Sequence, residues 1–107
     1  MHAAPSISNR EKETITLFKN GKKKAFEELY DVYAPLLYGA ICRILGQTKT
    51  AEKVLQQSFI DIWQMKASYE PDKERIILWM MRFARKNSLL IKNQDNFQKD
   101  QPQTIAL

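Results

Sequence analysis

The chain has 107 residues, 17 Lys plus Arg against 12 Asp plus Glu, and a formal charge of +5 at neutral pH. That length suits one domain, able to bury roughly 65% of its unfolded surface without covalent staples. Cys42 is the only cysteine and His2 the only histidine, which excludes a disulfide framework, a Cys/His metal site and histidine catalysis.

With 44% apolar and 27% charged residues, the composition is that of an ordinary soluble globule. Three glycines and four prolines are too few for a fold of many tight turns, so an all-α bundle of four to five helices is expected. No run of eighteen apolar residues and no charged-then-apolar leader is present, which predicts a cytoplasmic protein without membrane contact.

Residues 1–9 carry no periodicity and read as a flexible lead before a helical domain over residues 10–93. Ile15 and Phe18, three apart, give the 10–19 segment one apolar face, and Asn20-Gly21 forms its stop. Lys22, Lys23 and Lys24 open a longer helix with Phe26, Leu29, Tyr30, Tyr33, Leu37, Ile41, Ile44 and Leu45 on its inner stripe. Pro35 falls inside that stripe and is expected to kink or split the helix. Thr48 or Thr50 caps a third helix running to about Lys66, with Ala51, Leu55, Phe59, Ile62 and Trp63 inward. Pro71 disfavours helix at Glu70, and Asp72 is the expected cap of a final helix to about Asn93. Its inner stripe is Ile76, Met80, Phe83, Ala84 and Asn87, with Leu90 or Ile91. Residues 94–107, rich in glutamine, read as a polar linker.

The strongest electrostatic signal lies at 72–93, where Lys73, Arg75, Arg82, Arg85, Lys86 and Lys92 face only Asp72 and Glu74. Trp79 stands among them. Cations attract phosphates and a flat ring can stack an unpaired base, so the pattern suits nucleic acid. It equally suits a solvated basic face over a core tryptophan, and charge alone does not separate the two. The three lysines at 22–24 read most simply as a solvated helix end, and Cys42 as a small core hydrophobe. Glu52, Lys53, Gln56, Gln57 and Ile60 form a mixed outer strip on the third helix, either a docking face or an ordinary exposed one. There is no glycine-rich phosphate loop, no Ser/His or Cys/His pair and no buried carboxylate pair, so neither enzyme activity nor a cofactor is expected.

Three segments in order carry a resemblance. Ala25-Phe26-Glu27-Glu28-Leu29-Tyr30 with Tyr33-Ala34-Pro35-Leu36-Leu37-Tyr38 resembles the opening of region 2 in bacterial sigma factors of the extracytoplasmic-function type. Thr50-Ala51-Glu52-Lys53-Val54-Leu55-Gln56-Gln57-Ser58-Phe59, ending in Ile62-Trp63, is similar to that family's acidic helix. Tyr69-Glu70-Pro71-Asp72-Lys73, then Trp79-Met80 and Ala84-Arg85, resembles its Asp-Pro loop and Trp-Leu-x-x-Ile-Ala-Arg-Asn helix.

The resemblance implies a transcription initiation domain. It would dock Glu52, Gln56, Gln57 and Ile60 on the clamp coiled coil of the largest subunit of RNA polymerase core. It would recognise and melt the promoter minus-ten element, with Tyr69, Lys73, Arg75 and Trp79 near the non-template strand and Arg82, Arg85 and Lys86 on phosphates. An anti-sigma factor is a further implied partner, and the 94–107 linker would lead toward a region 4. The sequence departs from the family at Lys53 and Gln57, which stand for acidic residues, and at Glu74, which stands for glycine. Leu90 stands for an aspartate and Lys86 for an asparagine. Two alternatives accompany this reading: a diverged sigma-like interaction module without promoter binding, and a small helix-turn-helix regulator of duplex DNA.

Overall fold

Ser8 starts the described structure: the computed structural model describes residues 8–100, with side chains through Gln94. Its Oγ accepts a hydrogen bond from the Glu11 amide at 3.0 Å, capping α1 (Asn9–Lys19). The expected lead at 1–9 therefore gives up its last two positions to the helix and its cap, and residues 1–7 lie outside the described ones.

α1 stops in a defined motif. The Gly21 amide donates to Phe18 O at 2.9 Å and the Lys22 amide to Leu17 O at 3.0 Å, the paired bonds of a Schellman ending. This needs a left-handed backbone at the next residue, and Gly21 has φ of 84°. The chain then turns directly into α2 (Lys23–Leu45), which buries Ala25, Leu29, Tyr33, Ala34, Leu37 and Ile41.

Pro35 does not split α2, contrary to one form of the sequence expectation. Its ring is on the solvent side, as is Asp31, whose carbonyl loses a helical partner when residue 35 has no N–H. Water satisfies an exposed carbonyl at little cost, so the buried stripe runs through uninterrupted. Gly46, with φ of 82°, closes the helix.

Thr48 Oγ1 accepts from the Ala51 amide at 3.1 Å and caps α3 (Lys49–Gln64). A short 3-10 turn at Lys66–Ser68 and an irregular loop follow. α4 (Ile76–Asp100) begins at Ile76, not at Lys73. The Arg75 carbonyl accepts from Leu78 and Trp79, so Arg75 takes the capping position expected of Asp72. The cause is a turn at Glu70–Lys73, closed by Lys73 N to Glu70 O at 3.0 Å, which holds Asp72 outside the helix. At its other end α4 continues through Asp100, across the first part of the segment read as linker, while residues 101–107 lie outside the described ones.

α4 packs on both α2 and α3, and α1 packs on α2. Phe18 joins all four helices: fully buried, its ring centroid lies 6.0 Å from Phe26, 6.3 Å from Trp63 and 6.4 Å from Trp79. Burying such a side chain contributes about 1.5–3 kcal/mol, and each aromatic pair adds about 0.5–1.5. Leu37, Ile41, Ile62, Ile76 and Met80 complete the innermost layer. A polar seam ties α3 to α4: Asn87 Nδ2 donates to Asp61 Oδ2 at 2.9 Å and to Ser58 Oγ at 3.2 Å.

Candidate protein and nucleic-acid interfaces

Two surfaces stand apart from the core. On the first, α2 and α3 leave an open groove of about 500 Å³ between them, floored by Phe26, Tyr30, Phe59 and Trp63. Tyr30 and Phe59 lie 4.6 Å apart between centroids, Phe26 and Trp63 5.0 Å apart, and the Lys66 ammonium sits 4.1 Å over the Trp63 ring. Glu52, Gln56 and Ile60, spaced by four, make one exposed stripe of α3, and the last two form the groove's wall.

Gln57 does not join that wall. Its amide donates to Asp61 Oδ1 at 2.9 Å, and it lines a different depression with Lys53, Leu90 and Ile91 at the α3–α4 seam. The sequence reading missed Phe26 and Tyr30 as site residues because their spacing placed them on an apolar stripe. Tyr30 is nevertheless 38% exposed. The available signal was the width of that stripe, more residues than one neighbouring helix can cover.

The second surface combines the 66–75 loop with the outer face of α4. Trp79, Arg82, Phe83, Arg85 and Lys86 line an open groove of about 520 Å³, with apolar rings below and cations at the rim. Tyr69 and Trp79, which the resemblance puts near the non-template strand, do not present open rings at the surface. Tyr69 is 1% and Trp79 5% exposed, with centroids 5.1 Å apart. The physical reason is periodicity: Trp79 falls between Ile76 and Met80 on the buried side of α4, and Tyr69 folds beneath the loop against it.

Tyr69 organises this loop from below. Its hydroxyl donates to Glu74 O at 2.7 Å, while its own carbonyl accepts from Lys19 Nζ of α1. Burial, then the nearby Glu74 and Glu11 charges, push its phenol up to about 12. Tyr33 is shifted upward for similar reasons, burial first and then Glu11, whose Oε1 accepts from its hydroxyl at 3.3 Å.

Most of the loop's cations already have anionic partners. Lys73 pairs with Glu70 at 3.2 Å, and Arg75 with Glu11 of α1 at 3.5 Å. Arg82 meets Glu74 in a two-pronged contact, Nη1 to Oε1 at 2.6 Å and Nη2 to Oε2. The Arg82 hydrogen bond holds the Glu74 carboxyl below its usual value, and Glu74 in turn raises Arg82. Arg85 and Lys86 are exposed and have no ion-pair partner among the described residues. The seven residues assigned to nucleic acid thus divide three ways: Tyr69 and Trp79 buried, Lys73, Arg75 and Arg82 carboxylate-paired, Arg85 and Lys86 open.

A helical module with an exposed acidic-to-apolar stripe on one helix and a basic groove on the last is the type that the sequence resemblance named. The family model for Sigma-70 region 2 matches residues 29–99, and the chain belongs to that family. Among curated proteins, it is 34% identical over 67 residues to "RNA polymerase sigma factor CarQ" of Myxococcus xanthus, covering 63% of this chain and 38% of that protein. It is 21% identical over 89 residues to "ECF RNA polymerase sigma factor SigK" of Mycobacterium tuberculosis, covering 83% of this chain and 48% of that one. The chain spans less than half the length of these relatives. No solved structure matches it. Among the described residues, no helix is long and apolar enough to cross a membrane.

Proposed function

We propose that this chain is the polymerase-binding and minus-ten-recognising part of a transcription initiation factor. The observation that carries the proposal is the pair of grooves sharing no residue, one aromatic and one basic. Glu52, Gln56 and Ile60 dock on RNA polymerase core, and the aromatic groove beside them receives apolar side chains of the partner. Arg85 and Lys86 hold phosphates of the displaced non-template strand, and the half-buried Phe83 offers a ring to an unstacked base. The steps are non-covalent: capture by polymerase, base trapping as the duplex opens, and retention by charge. An anti-sigma factor would compete for the same aromatic groove.

A second reading has one observation in its favour. Three of the five assigned cations are engaged by the chain's own carboxylates, as suits a sigma-like module that docks on protein without holding promoter DNA.

Fluorescence anisotropy of single-stranded against duplex minus-ten oligonucleotides, with and without core polymerase, decides between them. The proposal expects preference for the single strand in the presence of core. Replacing Arg85 and Lys86 together by Ala should weaken binding and shallow the salt slope by about 1.4, about 0.7 per phosphate contact. Equal binding of wild type and double variant at low salt would overturn it. Duplex preference would instead favour a helix-turn-helix regulator.

A further inference from the structure

The Glu74–Arg82 contact is not an ordinary surface pair. It joins the loop to α4 across eight residues, using both carboxylate oxygens against both terminal guanidinium nitrogens. Its partners are unequal: the Arg82 side chain is 62% exposed, the Glu74 side chain only 22%. Glu74 is also held from behind, since Tyr69 OH donates to its carbonyl at 2.7 Å and Lys19 fixes Tyr69 in turn. A carboxylate is therefore presented at a set position on the rim of the basic groove. Two oxygens meeting a guanidinium fork is also the geometry by which arginine grips the non-bridging oxygens of a phosphodiester.

We propose that Glu74 is a built-in competitor of nucleic-acid phosphate: its carboxylate occupies Arg82, and a strand entering the α4 groove must displace it to gain that contact. This rests on the reading that the groove binds a strand. A phosphodiester that arrives recovers one bidentate contact but leaves Glu74 behind as an unpaired, nearby negative charge. Strand entry at Arg82 is thereby weakened compared with Arg85 and Lys86, whose charges are free. Once the carboxylate is replaced by a neutral amide, Arg82 becomes a third phosphate ligand. The loop keeps its shape, because the Tyr69–Glu74 bond uses the backbone carbonyl and not the side chain.

The experiment measures affinity of the full chain for a single-stranded minus-ten oligonucleotide by anisotropy, over a range of salt. Glu74→Gln should tighten binding about fivefold at low salt, the order of gain set by releasing an exposed ion pair. It should steepen the salt slope by about 0.7, one added phosphate contact. Arg82→Ala added to Glu74→Gln should cancel the gain, because the released cation is then gone. Asp72→Asn removes an equal charge from the same loop, from an exposed side chain in no ion pair among the described residues, and should give a smaller gain and no change of slope. A thermal melt of each variant checks that the fold is kept. If Glu74→Ser, a shorter neutral replacement, also tightens binding, shape of the glutamine is not the cause. Unchanged or weaker binding of Glu74→Gln, or an equal gain from Asp72→Asn, overturns the competition while Arg85→Ala/Lys86→Ala still weakens binding. If that double variant also binds like wild type, the nucleic-acid reading itself has failed.

Discussion

The α2–α3 groove and the α4 groove differ in how their residues are made available. On α3, side chains spaced by four project from a regular, capped helix, and Gln56 and Ile60 reach solvent without any internal partner. On the loop and α4, positive charge is abundant in the sequence but largely spent inside the molecule, on Glu70, Glu11 and Glu74. Counting charges measures what a surface has, and pairing decides what it can offer. The aromatic groove is a standing surface; the basic groove is a contested one.

That contrast can be broken most forcefully at Trp79. As a core ring touching Phe18, Tyr69 and Phe83, its replacement by Ala should cost about 3–5 kcal/mol, read by chemical denaturation. A Trp79→Ala protein of normal stability that loses only strand binding would instead make the tryptophan part of the offered surface. Next, Gln56→Ala with Ile60→Ala should lower capture of core polymerase by roughly tenfold, the range of one or two interface contacts, and leave unfolding unchanged because both side chains are exposed. Undiminished capture would remove the standing surface from the comparison.

The smallest effect is expected at the loop's support. Tyr69→Phe deletes the hydroxyl bond to Glu74 O and should cost about 1 kcal/mol. Tyr69 also carries a pH signature. The unfolded phenol ionises near 10, whereas the folded one holds its proton to about 12. Its contribution to stability is therefore complete below 10 and is lost as the pH rises toward 12. The Phe variant should lack that part of the alkaline decline, and an identical decline in both proteins would show that Tyr69 is not its source.

Much of the architecture is written in short-range pattern. Thr48, Asn20-Gly21 and Gly46 mark helix ends by local chemistry, and the stripe through Leu29, Tyr33, Leu37 and Ile41 marks the buried side of α2. Pro35 misled because its consequence depends on which way the missing bond faces, a tertiary fact. Asp72 misled because a competing turn captured it first. At the candidate sites, periodicity located α3's stripe, but it could not tell that Gln57 turns toward Asp61. Nor could it reveal that Glu11, distant in sequence, and Glu74, noted only as a departure from glycine, pair with Arg75 and Arg82. Those are pairings made by folding, and composition carries no record of them.

α1 lies ahead of the residues matched by the family, yet it supplies both Lys19 to the Tyr69 carbonyl and Glu11 to Arg75. The 66–75 loop is thus moored to a helix far upstream of it. A fragment trimmed to residue 29 would keep every side chain of both grooves except Phe26 and the Lys23 edge, and would still set its loop adrift. The smallest unit with a preset loop begins at Ser8.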